Sequence, residues 1–171
     1  IKRNIYSILV LQIMDEIIEI LLEAREELKR LEHIIYVSLK YTRTVDVIIN
    51  ALNRLVGIYD LLVEALLEKA KGENLIEALP KSPALRAKRL GEMYPEDIFL
   101  NKHLKFYSFL KTILNMEHKK FREYRRHVAL VVDINNCTAE ANIDNLTNCE
   151  KFVHSFYNYA REKIDPLPKE D

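Results

Sequence analysis

The chain has 171 residues, of which 49% are apolar and 30% charged, and its 26 basic and 26 acidic side chains cancel to a formal net charge of zero. That size and balance suit one globular domain with a sizeable core. They exclude a global field that would draw the chain to nucleic acid or to a membrane surface, so any electrostatic role must be local.

The elements begin with Lys2-Arg3 and an apolar stretch over 5–14. This has the outline of a leader peptide, but Asp15, Glu16 and Glu19 follow at once and the apolar periodicity runs past them with no small-residue cleavage site. It reads instead as the start of an amphipathic helix. No apolar run approaches the roughly 20 residues that span a bilayer, so a cytoplasmic protein with no membrane association is expected.

Rows of apolar residues seven apart run from Val10 through Ile17, Ala24 and Leu31 to Leu52, Tyr59 and Leu66, and two parallel rows accompany them. Together they form a stripe wide enough for a helix buried against several neighbours. The register does not slip, which would allow one helix of about 70 residues, roughly 105 Å long. Tyr41-Thr42-Arg43-Thr44-Val45 is nevertheless a run of poor helix formers, with Thr42 or Thr44 placed to cap a new helix. Two helices over about 3–40 and 44–71 are therefore preferred. Gly72 ends the second, and a connector covers 72–82. Ser82-Pro83 then caps and opens a short helix to about 90, followed by Gly91 and Pro95 as punctuation.

A second long helix is expected over 96–134, with the stripe Tyr107, Leu110, Leu114, Glu117, Phe121, Tyr124, Val128, Val131 and a stop at Asn135-Asn136. Thr147-Asn148-Cys149-Glu150 fits a capping box for a last helix that turns Phe152, Val153, Phe156 and Ala160 inward and ends at Asp165-Pro166. The fold class is thus all-α: an elongated bundle of four main helices plus one or two short ones, a single domain over 1–165 with a flexible tail over 166–171. Scarce Gln and charge-rich helix surfaces follow the habit of thermophile proteins, although Asn is not depleted.

Most catalytic signatures are missing. Three glycines cannot form a phosphate-cradling loop, and there is no Gly-x-Ser-x-Gly nucleophile motif. No acidic residue stands three before any His, which disfavours the Glu-x-x-His arrangement of di-iron bundles. No metal site and no cofactor are expected. Glu27 and Glu117 fall on apolar stripes and should pair with Lys or Arg or reach solvent. Cys137 and Cys149 flank a polar loop and are either free thiols or a bridge across it. Asn136-Cys137-Thr138 and Asn145-Leu146-Thr147 match glycosylation acceptors but read as loop composition.

The densest charge cluster is His118-Lys119-Lys120-Phe121-Arg122-Glu123-Tyr124-Arg125-Arg126-His127. Lys119, Lys120, Arg125 and Arg126 are candidate phosphate contacts, with Lys81, Arg86, Lys88 and Arg89 available to extend the patch. The alternative is that the acidic face of the first helix neutralises this one, or that the run is simply a solvated face. Within the cluster, Arg122-x4-His127 resembles the Arg-x4–6-His motif of the HEPN superfamily, all-α proteins of similar size that include ribonucleases. The resemblance implies that Arg122 would stabilise phosphate charge and His127 would act as acid or base in a metal-independent cleavage of RNA at a dimer interface. Two departures are Glu123 directly after the Arg and the position of the motif inside a predicted helix. The leading expectation is a non-catalytic assembly or protein-interaction module that forms a homodimer through helix faces. The alternative is a HEPN-like protein that binds or cuts RNA.

Overall fold

The computed structural model describes residues 2–164, and the side chains from residue 5 onward. The expected end at Asp165-Pro166 and the tail over 166–171 lie outside the described residues. Helix α1 (Lys2–His33) continues through a π-helical segment, Ile34–Ser38, and one last turn, Leu39–Tyr41. The widened turn absorbs an extra residue, so that Ile34, Ile35 and Leu39 all stay buried. Thr42 and Thr44 then leave helical geometry, and the Thr44 side chain accepts a hydrogen bond from the Val47 N–H at 3.4 Å. This cap opens α2 (Val45–Gly72). The poor helix formers thus end one helix and start another, as the sequence predicts.

Helices α1 and α2 run antiparallel. Arg54 of α2 pairs with Glu27 of α1 at 2.7 Å, and Gly72 at the far end of α2 meets Ile13. The inward face of α1 is Ile17, Leu21, Ala24, Leu28 and Leu31. Helix α2 is buried on most of its circumference, from Val45 to Ala70. A helix apolar all round needs cover on every side. The remaining elements supply it, with α3 (Pro83–Met93), α4 (Ile98–Asn115) and α5 (Ile143–Ile164) all packed on α2. Ser82 caps α3 through the Leu85 N–H at 3.2 Å, with Pro83 in the first turn, again as expected. Asp97 caps α4 through the Leu100 N–H at 2.9 Å.

The helix predicted over 96–134 is a correction. Helix α4 stops at Asn115, and Met116 is extended. The chain then forms a three-stranded antiparallel sheet in the order β1 (Lys119–Phe121), β2 (Ala129–Ile134), β3 (Cys137–Ala141). The fold is therefore mostly helical with a small sheet. Tyr107 and Leu110 of the predicted stripe are buried, but Glu117, Phe121 and Tyr124 are exposed. The true signal was the β-branched run Val128-Ala129-Leu130-Val131-Val132, whose ends also satisfy helical spacing. Asn135-Asn136 is a hairpin turn, not a helix stop. Both residues have positive φ (46° and 65°), and Ile134 pairs directly with Cys137.

The capping box is corrected too. Helix α5 begins four residues before Thr147, with the Asn142 side chain accepting from the Asn145 N–H at 2.9 Å. Thr147 lies inside the helix and donates to the Ile143 carbonyl at 2.8 Å. Asn145 of the second glycosylation match is likewise helical rather than in a loop. Val153, Phe156 and Ala160 point inward as predicted, while Phe152 is half-buried.

The hairpin gives a direct check. Asn136→Gly should raise the unfolding free energy by about 0.5 kcal/mol, because Gly adopts positive φ without the strain of a β-carbon. A helix through this position would instead lose about 0.3 kcal/mol, the gap between Asn and Gly in helix propensity. Urea titration of parent and variant separates the two outcomes.

Candidate functional site

The basic cluster lies on β1 and on the loop 122–128 that joins it to β2, not on a helix. The loop folds back over the turn between α1 and α2. The Tyr124 N–H donates to the Arg43 carbonyl at 2.6 Å, and a Glu123 carboxylate oxygen accepts from the Val45 N–H at 3.0 Å. Glu123 therefore serves as a second cap on the first turn of α2, where a negative charge is favoured. On either side of Glu123, Arg122 and Tyr124 hold positive φ values of 50° and 64°. Left-handed backbone at non-glycine residues costs of order 1 kcal/mol each and is held by such contacts.

This arrangement turns Tyr124 outward at 79% exposure, beside the α1–α2 turn that carries Tyr41 at 86% exposure. Lys40 and Arg43 flank Tyr41 in sequence. Of the predicted contacts, Lys119 pairs with Asp133 at 3.0 Å and Lys120 with Asp46 at 3.3 Å. Arg122 packs over the Phe121 ring at 4.9 Å. Among the described residues, Arg125 and Arg126 are exposed with no ion pair, and so are Lys40 and His127. No hydrogen bond joins Arg122 to His127 among the described residues.

The expected extension of the patch is not formed. Arg86 on α3 pairs with Glu64 of α2 at 3.4 Å and donates to the Pro80 carbonyl at 2.8 Å. Nineteen residues along α2 separate Glu64 from Val45, roughly 28 Å, so α3 lies far from the loop. The acidic face of α1 is also distant. Its last acidic residue, Glu32, stands nine residues before Tyr41, roughly 13 Å along the helix, still beyond the ~8 Å screening length at physiological salt.

The other sequence candidates resolve simply. Burial pushes the Glu27 carboxyl up, but Arg54 and Arg30 outweigh it and hold the group below its ordinary range. Glu117 is exposed past the end of α4. Both cysteines are free thiols. Among the described residues no group of three or more His, Cys, Asp or Glu could hold a metal ion, and no helix is long and apolar enough to cross a membrane. A cleft of about 440 Å³ between α3 and α4 is lined by Lys88, Lys105 and Lys111. Two of these already have partners, Lys88 at Glu92 and Lys111 at the Tyr107 hydroxyl.

Among the described residues two polar groups are buried, His103, which the sequence leaves without a role, and Glu150, which it assigns to a capping box. His103 is fully buried, with Nδ1 at 2.8 Å from the Tyr59 hydroxyl and Nε2 at 3.4 Å from the Ser155 hydroxyl. It stacks on Phe152 at 3.9 Å and Phe156 at 4.8 Å. Burial pushes its pKa down to about 4. The position was legible, because His103 precedes Tyr107 and Leu110 at helical spacing on the same buried face. The second group is Glu150 on α5. Burial raises its carboxyl above the ordinary value, and Glu32 beside it adds to the rise. Tyr36, in the π-helical segment, lies against the same pair.

Comparison with protein-family models, with curated proteins and with solved structures finds no match for this chain.

These groups set opposite pH dependences. The folded chain disfavours protonated His103, so stability present above pH 6.5 is lost as the pH falls towards 4. The loss is on the order of 3 kcal/mol. Urea unfolding from pH 7 to pH 4 should show that extra fall in the parent relative to His103→Phe. Equal slopes in the two proteins would contradict it. For Glu150 the folded chain favours the protonated form, so its contribution is present below its ordinary pKa of 4.5 and is lost as the pH rises. Glu150→Gln should raise the melting temperature at pH 8 by about 2–4 °C, with little change at pH 4 in a calorimetric scan.

Proposed function

We propose that this chain is a non-catalytic assembly module that pairs with a second copy through the N-terminal half of α1. The observation that carries the reading is the position of that half-helix. Helix α2 ends at Gly72, level with Ile13, so residues 2–12 extend roughly 16 Å past it. Ile5, Tyr6, Ile8, Leu9, Val10 and Leu11 are all exposed there, Tyr6 at 66% and Leu11 at 63%. Ile18 and Leu22 continue the outer stripe from Leu11 along the helix.

The arrangement supports a contact with a second copy. Beyond α2 the apolar side chains surround the helix, with Tyr6, Leu9 and Val10 continuing the inward face of Ile17 and Leu21, and Ile8, Leu11, Ile18 and Leu22 forming the outer face. A helix apolar all round needs cover on every side. Burial of such a stripe against its twin would follow the same helix-packing rules as the α1–α2 contact.

Sedimentation equilibrium tests this. The parent chain should be a dimer at micromolar concentration, and Leu11→Glu with Ile18→Glu should give a monomer with unchanged circular dichroism. Both positions are on the surface, so the fold does not depend on them. A parent that stays monomeric up to about 1 mM, a Kd corresponding to only about 4 kcal/mol, would overturn the proposal. So would a dimer that survives both substitutions.

A further inference from the structure

We infer that the opposite end of the molecule binds single-stranded nucleic acid without cutting it. The phosphates would sit on Arg122, Arg125, Arg126 and Arg43, and the bases would stack on Tyr41 and Tyr124. This rests on residues separate from the proposed α1 contact, so either reading can fail alone.

The first observation is convergence. Tyr41 ends the last helical turn before the α1–α2 turn and Arg43 lies in that turn, while Arg122 and Tyr124 lie about eighty residues later in the chain. The backbone bond from Tyr124 to Arg43 at 2.6 Å brings the two segments together. Two aromatic side chains at 86% and 79% exposure then stand among basic groups. Exposed rings interleaved with cations are what unstacked bases and their phosphates require.

The second observation is charge left over. Lys119 and Lys120 are spent on Asp133 and Asp46, and the carboxylate of Glu123 is turned inward onto the Val45 N–H. The arginines form no ion pair among the described residues. Their planar guanidinium groups suit both phosphate forks and ring faces.

The third observation is the strained backbone at Arg122 and Tyr124, held by contacts to the α1–α2 turn. It fixes the display of the ring and the cations in the free protein, so little order must be gained on binding. Single strands are favoured over duplex because the end presents a short loop and a turn. The loop is held back onto the α1–α2 turn by the Tyr124 and Glu123 contacts, so the β1–β2 ribbon does not project freely to enter a groove.

Fluorescence anisotropy with labelled 15-nucleotide oligo(U), oligo(dT) and a duplex of equal length tests this on the full chain. Both single strands should bind at 50 mM salt and more tightly than the duplex. The difference between oligo(U) and oligo(dT) reads any use of the 2′-hydroxyl. Four phosphate contacts give a log–log salt slope near −3, or about 50-fold weaker binding at 200 mM. Tyr41→Ala and Tyr124→Ala should each weaken binding about tenfold with the slope unchanged. Arg125→Gln with Arg126→Gln should flatten the slope by about 1.4. Circular dichroism confirms the fold of each exposed-site variant. No binding at 50 mM salt would overturn the inference. Tyrosine variants that bind as well as the parent, with heparin or anionic vesicles competing equally, would reduce the site to a general polyanion surface and overturn it too. RNA shortened by the parent and left intact by His127→Ala would replace binding with HEPN-type cleavage around Arg122 and His127.

Discussion

The organising constraint is that α2 has almost no face it can show to water. Its buried residues cover both sides of the helix, from Val45 and Ile48 at one end to Leu67 and Ala70 at the other. Each large aliphatic side chain removed from water contributes about 1.5–3 kcal/mol, so leaving any flank open would be unfavourable. The α1 hairpin covers one flank and α5 a second, while α3, α4 and β2 close the rest. Tyr59 stands at the centre of this packing, with the rings of His103, Phe106, Tyr107 and Phe156 all within 6.0 Å.

Apolar burial alone would let these helices slide, and a few polar pairs set their register. Tyr59 meets His103, Tyr107 donates to Asp60, and Tyr159 donates to Asp97 at 2.5 Å. Each pair joins two different elements, and no buried side-chain nitrogen or oxygen is left without a partner among the described residues. A misplaced helix would strand these groups at about 1–3 kcal/mol apiece. Buried polar groups also bound the pH range, since His103 must stay neutral and burial beside Glu32 disfavours the ionised form of Glu150.

Much of this was readable residue by residue. The width of the α1 and α2 stripes, the break at Thr42 and Thr44, and Ser82-Pro83 each state a local preference that tertiary packing agrees with. The sheet was not readable in the same way. Val128 and Val131 satisfy a helical period and a β-branched run at once, and only the pairing of β2 between two neighbours decides between them. At the candidate site, the cations were visible as a run in the sequence. Tyr41 and Arg43 were not, because their proximity to Tyr124 is made by a fold-back across about eighty residues. Glu123, which counted against the resemblance to a known motif, proves to hold the loop in place.

That inward-facing carboxylate separates two properties of the loop that usually change together. The outward cations are exposed to solvent, so dissolved ions damp their attraction steeply. The contact between Glu123 and the Val45 N–H is partly buried and short-ranged, and salt reaches it far less. Raising the ionic strength therefore dims the charge of this end of the molecule while its outline stays in place.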